Sequence, residues 1–137
     1  MSKRQTRSMA RIEAFKLIFA TQVNNEDIDF LIEQMIENSP ESMSNINYIK
    51  TVVLGVIENK AEIDEEIRKN ISGKWKLERI SKVALAVLRL AIFEIKYLED
   101  VPDNVAINEA VEIDKKFDNP DNSAFVNGVL AGVLKNR

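Results

Sequence analysis

The stretch VALAVLRLAIFEI, residues 83–95, constrains this chain more than any other, because only Arg89 and Glu94 interrupt thirteen otherwise apolar positions. A helix that is apolar all round is packed on nearly all sides, so the rest of the chain has to supply the elements that surround it. The run is too short to span a membrane. The first residues, MSKRQTRSMA, carry charges with no apolar run behind them, which is not the pattern of a secretory signal. A cytoplasmic protein without a membrane contact is the expectation. Lys82, Arg89 and Lys96 recur every seven positions and so share one narrow line along this helix.

Helical periodicity runs nearly throughout, with no strict alternation long enough to argue for a strand. A first helix, at about 8–23, turns Ala14, Leu17, Ile18 and Thr21 inward and ends at Asn24-Asn25. A second carries Ile28, Leu31, Ile32, Met35 and Ile36 and breaks at Ser39-Pro40; a third carries Ile46, Ile49, Val53, Val56 and Ile57. A shorter fourth, with Ile63, Ile67 and Ile71, stops at Ser72-Gly73. The apolar run is the fifth. Pro102 and Asp103 open the sixth, with Asp103 or Asn104 as N-cap, and the seventh starts near Asn122-Ser123. The fold class is therefore all-α, about seven helices in two packed helical sub-bundles, helices 1–4 and 5–7. The 137 residues fit a single domain, 1–137.

Asn127-Gly128 reads as a hairpin turn in isolation, but it lies inside the seventh helical pattern, and Gly132 follows on the same face. Helix is the better reading. A mid-helix glycine costs about 1 kcal/mol relative to alanine, so two of them imply a close approach by a neighbouring helix or a ligand.

The absence of both Cys and His excludes disulfides, thiol nucleophiles, Ser-His relays and nearly all zinc sites. Carboxylates alone remain for catalysis. Asp64, Glu65 and Glu66 are consecutive and point in different directions, while Glu109 and Glu112 share a polar face with Lys115 and Lys116 as ordinary helix pairs. No catalytic constellation survives, and neither a cofactor nor a metal is expected. One carboxylate is out of place. In INEAVEIDKKF, residues 107–117, Asp114 falls inside the apolar stripe of Ile107, Ala110, Ile113 and Phe117. A buried Asp needs a cation, and Arg89 equally needs a carboxylate, so these two are expected to pair.

The net charge of −3 hides an asymmetry: residues 1–16 carry Lys3, Arg4, Arg7, Arg11 and Lys16 against Glu13, or +4, leaving −7 for the rest. Arg4, Arg7 and Arg11 are three and four apart and form one basic stripe if the first helix extends back through them. Cations at a helix N-terminus oppose its macrodipole, so helix stability does not explain the stripe. Phosphate does, since the guanidinium fork binds two oxygens at once; a solvated, frayed terminus is the competing reading. A second basic run, Arg68, Lys69, Lys74, Lys76, Arg79 and Lys82, surrounds Trp75, which either stacks a base or joins the core.

Three segments, LRLAIFEI at 88–95, EDVPDNVAINEAVEIDKKF at 99–117 and SAFVNGVL at 123–130, following RSMARIEAFKLIFA at 7–20, resemble the NusB family of bacterial transcription antitermination factors along the whole chain. The resemblance implies two three-helix sub-bundles. It implies a non-enzymatic factor that binds single-stranded boxA-type RNA of nascent ribosomal transcripts with the small-subunit ribosomal protein NusE, within the RNA polymerase antitermination complex. Carried over residue by residue, it assigns RNA contacts to Lys3, Arg4, Arg7 and Arg11 and to the start of the last helix, Asp121, Asn122, Ser123 and Phe125. It puts Phe19 near the partner protein; Glu78, Arg79 and Lys82 are the expected edge of that surface in this chain, because Ala84-Leu85 lack the charges usual there. The chain departs from the family pattern at Ser8, where arginine is usual, at Ala84-Leu85, where charged residues are common, and at Asp114, which replaces a small apolar residue. A homodimeric interaction module without RNA binding and an accessory ribosomal-RNA-binding domain remain as alternatives.

Overall fold

A computed structural model describes residues 4–72 and 76–136; Lys3, Lys74 and Trp75, singled out above, lie outside the described residues. Seven α-helices are described: α1 (Arg7–Val23), α2 (Ile28–Asn38), α3 (Ile46–Glu58), α4 (Lys60–Lys69), α5 (Lys82–Tyr97), α6 (Asp103–Phe117) and α7 (Ser123–Lys135). Short 3₁₀ turns precede α3, α5 and α7. None of the described helices is long and apolar enough to cross a membrane.

Local chemistry sets several of the boundaries. Thr6 accepts the Met9 N–H at 3.1 Å to cap α1, Asp27 accepts from Asp29 to cap α2, and Ser81 accepts the Ala84 N–H at 3.0 Å to cap α5; each satisfies a donor that a helix start leaves orphaned. At α6 the expected cap, Asp103 or Asn104, was one or two residues late. Pro102 occupies the cap position, and Asp103 lies in the first turn, where its charge suits the dipole. Lys115 and Lys116 complement the other end of the same helix.

Every residue of α5 from Ala84 to Ile95 is buried, as its composition requires, because α5 packs against α1, α3, α4, α6 and α7. One sub-bundle gathers α1–α3 and the other α5–α7, with α4 lying against α5. Two contacts fix the direction of α1: Arg11 reaches Glu94 near the end of α5, and the Gln22 amide donates to the Lys82 carbonyl at its start. The two helices therefore run antiparallel. At the crossing of α3 and α5, Gly55 faces the Phe93 ring, which occupies the space a Cβ would need. The two glycines of α7 differ. Gly132 gives way to the Asn70 side chain, so a neighbour's side chain explains it, whereas Gly128 faces open space, and the close approach expected there is absent among the described residues.

The heptad line along α5 is an ion-pair seam. Arg89 makes a bidentate contact with Asp64 of α4, at 2.9 and 3.0 Å, and Lys96 donates to Glu66 at 3.2 Å; the Lys82 side chain at the near end is exposed. The expected pairing of Arg89 with Asp114 is thereby corrected. Arg89 takes its carboxylate from α4, with the Gln22 carbonyl oxygen as a third acceptor at 3.0 Å.

Candidate RNA-binding surface

The basic stripe divides into an exposed part and a buried part. Arg4 and Arg7 are exposed. Arg7 lies with its guanidinium carbon 4.3 Å from the centre of the Tyr48 ring and donates from Nε to the Asn45 side chain at 3.4 Å. Such stacking leaves the outer face of the fork and its donors open. Arg11, by contrast, is 3% exposed. It binds Glu94 of α5 through two hydrogen bonds, at 2.8 and 3.0 Å, and approaches Glu109 of α6 at 3.1 Å. This corrects the expectation that Arg11 offers its charge to phosphate: Glu94, 0% exposed, requires a counter-ion and takes it from α1. Ser8 donates to Glu109 beside it. Burial, then Glu94, pushes up the pKa of Tyr48, whose hydroxyl has no hydrogen-bond partner among the described residues.

The second group lies elsewhere. Arg79, Ile80, Ser81, Ala84, Asn122 and Phe125 line an open cavity of about 300 Å³ between the start of α5 and the start of α7. Its lining holds a half-buried aromatic ring, an exposed guanidinium, a carboxamide and a hydroxyl, the last two bonded to Asp118. That set suits a nucleobase, which asks for stacking and for edge hydrogen bonds. Asp121 is exposed beside it, with its backbone N–H held by Asn119 at 3.1 Å; Ser123 donates to the Pro120 carbonyl at 2.9 Å. Because α1 runs antiparallel to α5, the arginines and this cavity sit at opposite ends of the molecule. The twelve helical steps from Lys82 to Glu94 span about 18 Å at 1.5 Å each.

Of the four residues assigned to the partner edge, Glu78, Arg79 and Lys82 are exposed around the start of α5, and Arg79 also lines the cavity. Phe19 is half-buried, its ring 6.3 Å from that of Phe15, which in turn lies 5.2 Å from Phe117. Residue reasoning missed Tyr48, the platform under Arg7; the signal was its place on the inner face of α3, one turn before Val52.

Asp114 connects to the cavity through its neighbour. It is 0% exposed, and among the described residues neither of its oxygens has a hydrogen-bond partner. Burial first, then the Asp118 carboxylate one turn on, pushes its pKa up to about 6. Asp118 accepts from Ser81 at 2.7 Å and from the Asn122 amide at 3.4 Å, so one carboxylate ties together two walls of the cavity. Burial works against the charge of Asp118, but these donors outweigh it and hold its pKa below the ordinary value.

A family model described as the NusB family matches residues 8–135. The transcription antitermination protein NusB of Clostridium novyi (strain NT) is 39% identical over 137 residues, 98% of this chain and 99% of the relative. Its namesake in Clostridium botulinum (strain Alaska E43 / Type E3) is 41% identical over 131 residues, covering 94% and 98%. Among solved structures, T. maritima NusB superposes with a TM-score of 0.89 at 30% identity, covering 98% of this chain and 94% of that one. A crystal structure of the antitermination factors NusB and NusE in complex with dsRNA gives 0.84 at 25% identity, covering 96% and 97%.

Proposed function

Because the chain belongs to the NusB family, we propose that it is a cytoplasmic transcription antitermination factor that binds boxA-type RNA of nascent ribosomal transcripts together with NusE. Through that complex it promotes read-through by RNA polymerase. The relatives it matches carry the antitermination name, and a NusB–NusE pair is solved with RNA. The role asks for no cofactor and no catalytic step.

The observation that carries the RNA half is Arg7, an exposed cation stacked on Tyr48 with no carboxylate partner among the described residues. Its position at the first turn of α1 is unfavourable for a helix and favourable for a phosphate. Arg4 extends the same exposed edge, and the sequence adds Lys3 ahead of it. The cavity between α5 and α7 takes a base: Phe125 stacks it, while Asn122 and Arg79 reach its edge. Asp121 at its rim repels phosphate and prefers a base amino group, and Ser123 follows it on the same edge. A strand running from Arg7 to this cavity follows the groove between α1 and α6 and passes Lys115 and Lys116, which line that groove. Phe19, Glu78 and Lys82 make up the NusE edge, so RNA and partner share the end of the molecule where α5 begins.

Fluorescence anisotropy with a boxA-like single-stranded RNA, at several salt concentrations and with and without NusE, tests this reading. Wild type prefers boxA to a scrambled strand and tightens with NusE. Arg4→Ala/Arg7→Ala lowers the magnitude of the log–log salt slope by about 1.4, two contacts at about 0.7 each for a single strand. Failure of wild type to bind at low salt, alone or with NusE, refutes the RNA role and favours an interaction module.

A further inference from the structure

We propose that the cavity where the end of α1, the start of α2 and the junction of α3 with α4 meet is a binding site for a guanosine nucleotide. Arg89 reads the acceptor edge of the base, Glu26 its donor edge, and Lys60 holds the phosphate. The inference goes beyond the antitermination reading and does not rest on it.

The unspent donors of Arg89 carry it. The cavity has a volume of about 320 Å³, at the lower end of the range for small-ligand sites, about 300–1,000 Å³. Arg89 lines it, although only 6% of that residue is exposed. Its side-on edge, Nε and Nη2, goes to Asp64, and Nη1 donates once to Gln22, which is itself a wall of the cavity. A guanidinium has five N–H donors. Two of them, one on each terminal nitrogen, are therefore unclaimed among the described residues. Asp64 already balances the charge, so what this edge of the fork lacks is a pair of acceptors, and a buried donor left without one is costly.

The remaining walls select the ligand. Ile28 of α2 and Ile57 of α3, the latter 43% exposed, bring apolar surface from two different helices, with the buried Ile18 and Val56 beside them. A flat ring is held on both faces by such a pair. Glu26, in the loop before α2, and Lys60, at the start of α4, line the cavity, are exposed, and form no ion pair among the described residues. The Thr21 hydroxyl is already given to the Ile18 carbonyl at 2.7 Å. Since the charges of Glu26 and Lys60 cancel, the site suits neither a bare anion nor a bare cation; it suits a planar molecule with adjacent acceptors on one edge and adjacent donors on another. Guanine is such a molecule. Its O6 and N7 accept bidentately from arginine, while its N1–H and 2-amino group serve the two oxygens of a carboxylate. Adenine sets an amino donor beside N7, against a donor of the fork, and cytosine has one amino group for two carboxylate oxygens. Lys60 is left for the phosphate, which it binds as a point charge.

NMR of the full-length protein, following Arg89 Nε and the Ile57 methyls, tests the site with guanosine 5′-monophosphate as the probe. Both signals are expected to shift saturably, and adenosine and cytidine monophosphates to bind about tenfold more weakly, within the discrimination of a bidentate arginine–guanine pair. Inosine monophosphate, which lacks the 2-amino group, is weaker by about tenfold through one lost hydrogen bond to a charged group; in Glu26→Ala the guanosine and inosine nucleotides bind alike. Lys60→Ala weakens the nucleotide but not guanosine itself. Both variants change exposed side chains, and Arg89 stays in place because its removal strands Asp64. A response to the nucleotide no greater than to inorganic phosphate overturns the proposal. So does equal binding of the adenosine nucleotide, or a guanosine–inosine difference that survives Glu26→Ala. A boxA-like RNA that displaces the nucleotide places the guanosine in the strand; an RNA that binds while the nucleotide stays makes the ligand a free one. Nucleotide binding without any RNA binding refutes the antitermination reading alone.

Discussion

Replacing Arg11 with alanine separates the structural arginine of the basic stripe from the exposed ones. Arg11 is 3% exposed and Glu94 0%, and removing one member of a buried, bidentate pair leaves the other charge uncompensated, at a cost of about 3–5 kcal/mol. Unfolding entropy near 2.1 cal/mol/K per residue over 137 residues gives about 0.29 kcal/mol/K. The pair's loss therefore lowers Tm by about 10–17 °C. Arg4→Ala and Arg7→Ala leave Tm within about 2 °C, because an exposed side chain contributes little. Arg11→Met combined with Glu94→Leu recovers most of the loss, since an apolar pair of similar volume replaces a buried ion pair at little net cost. Urea unfolding followed by circular dichroism measures all four variants. A loss below about 1 kcal/mol for Arg11→Ala, or a double variant no better than the single, refutes the assignment of Arg11 to the core. The corollary concerns RNA: where Arg11→Ala is still folded, its salt slope matches wild type.

The same fold has other measurable consequences. The Asp114 pKa raised to about 6 means that the folded state binds more protons than the unfolded state between about pH 4 and 6, so stability falls as pH rises through that window, by about 3 kcal/mol in all. Asp114→Ala flattens this profile, which thermal melts from pH 4 to 8 check. Gly128→Ala raises stability by about 0.5–1 kcal/mol, because its Cβ meets open space and the helix gains propensity, whereas Gly55→Ala costs about 1–3 kcal/mol by overpacking the Phe93 ring. Phe125→Leu weakens boxA binding by about 1–3 kcal/mol through lost stacking and leaves the salt slope unchanged, a result that anisotropy at two salt concentrations distinguishes from a phosphate contact.

The helices were legible because their apolar spacing is local: each lies in the sequence where its i, i+3 and i+4 pattern puts it, and the burial of α5 follows from its composition alone. Depth across the fold was less legible. Arg4, Arg7 and Arg11 share one face by spacing, yet how deep each sits depends on what α5 and α6 bring to that face. Glu94 was the available clue. It is the second odd charge of α5, five residues from Arg89 and so pointing elsewhere, and it needed a cation of its own. Arg89 was matched to Asp114 because both lay in apolar stripes, while Asp64 stood in a run of three acids that looked solvated; Asp64 faces α5, Glu65 meets Arg68 at 3.5 Å and Glu66 meets Lys96. The proximity of Arg79 to Phe125 depends on the turn between α6 and α7 and has no local signature.

A helix greased on every side has little to tell it how far to roll or slide among its neighbours. In α5 the two exceptions carry opposite signs and stand five residues apart, so at 100° per residue they face about 140° away from each other and lie about 7.5 Å apart along the axis. The cation meets α4 and the anion meets α1. Sliding by one turn, or rolling by one residue, strands both charges in hydrocarbon at once, and exchanging the two neighbours sets like against like. Arg89 and Glu94 thus act as an index, giving an otherwise featureless rod one permitted orientation at the centre of the fold.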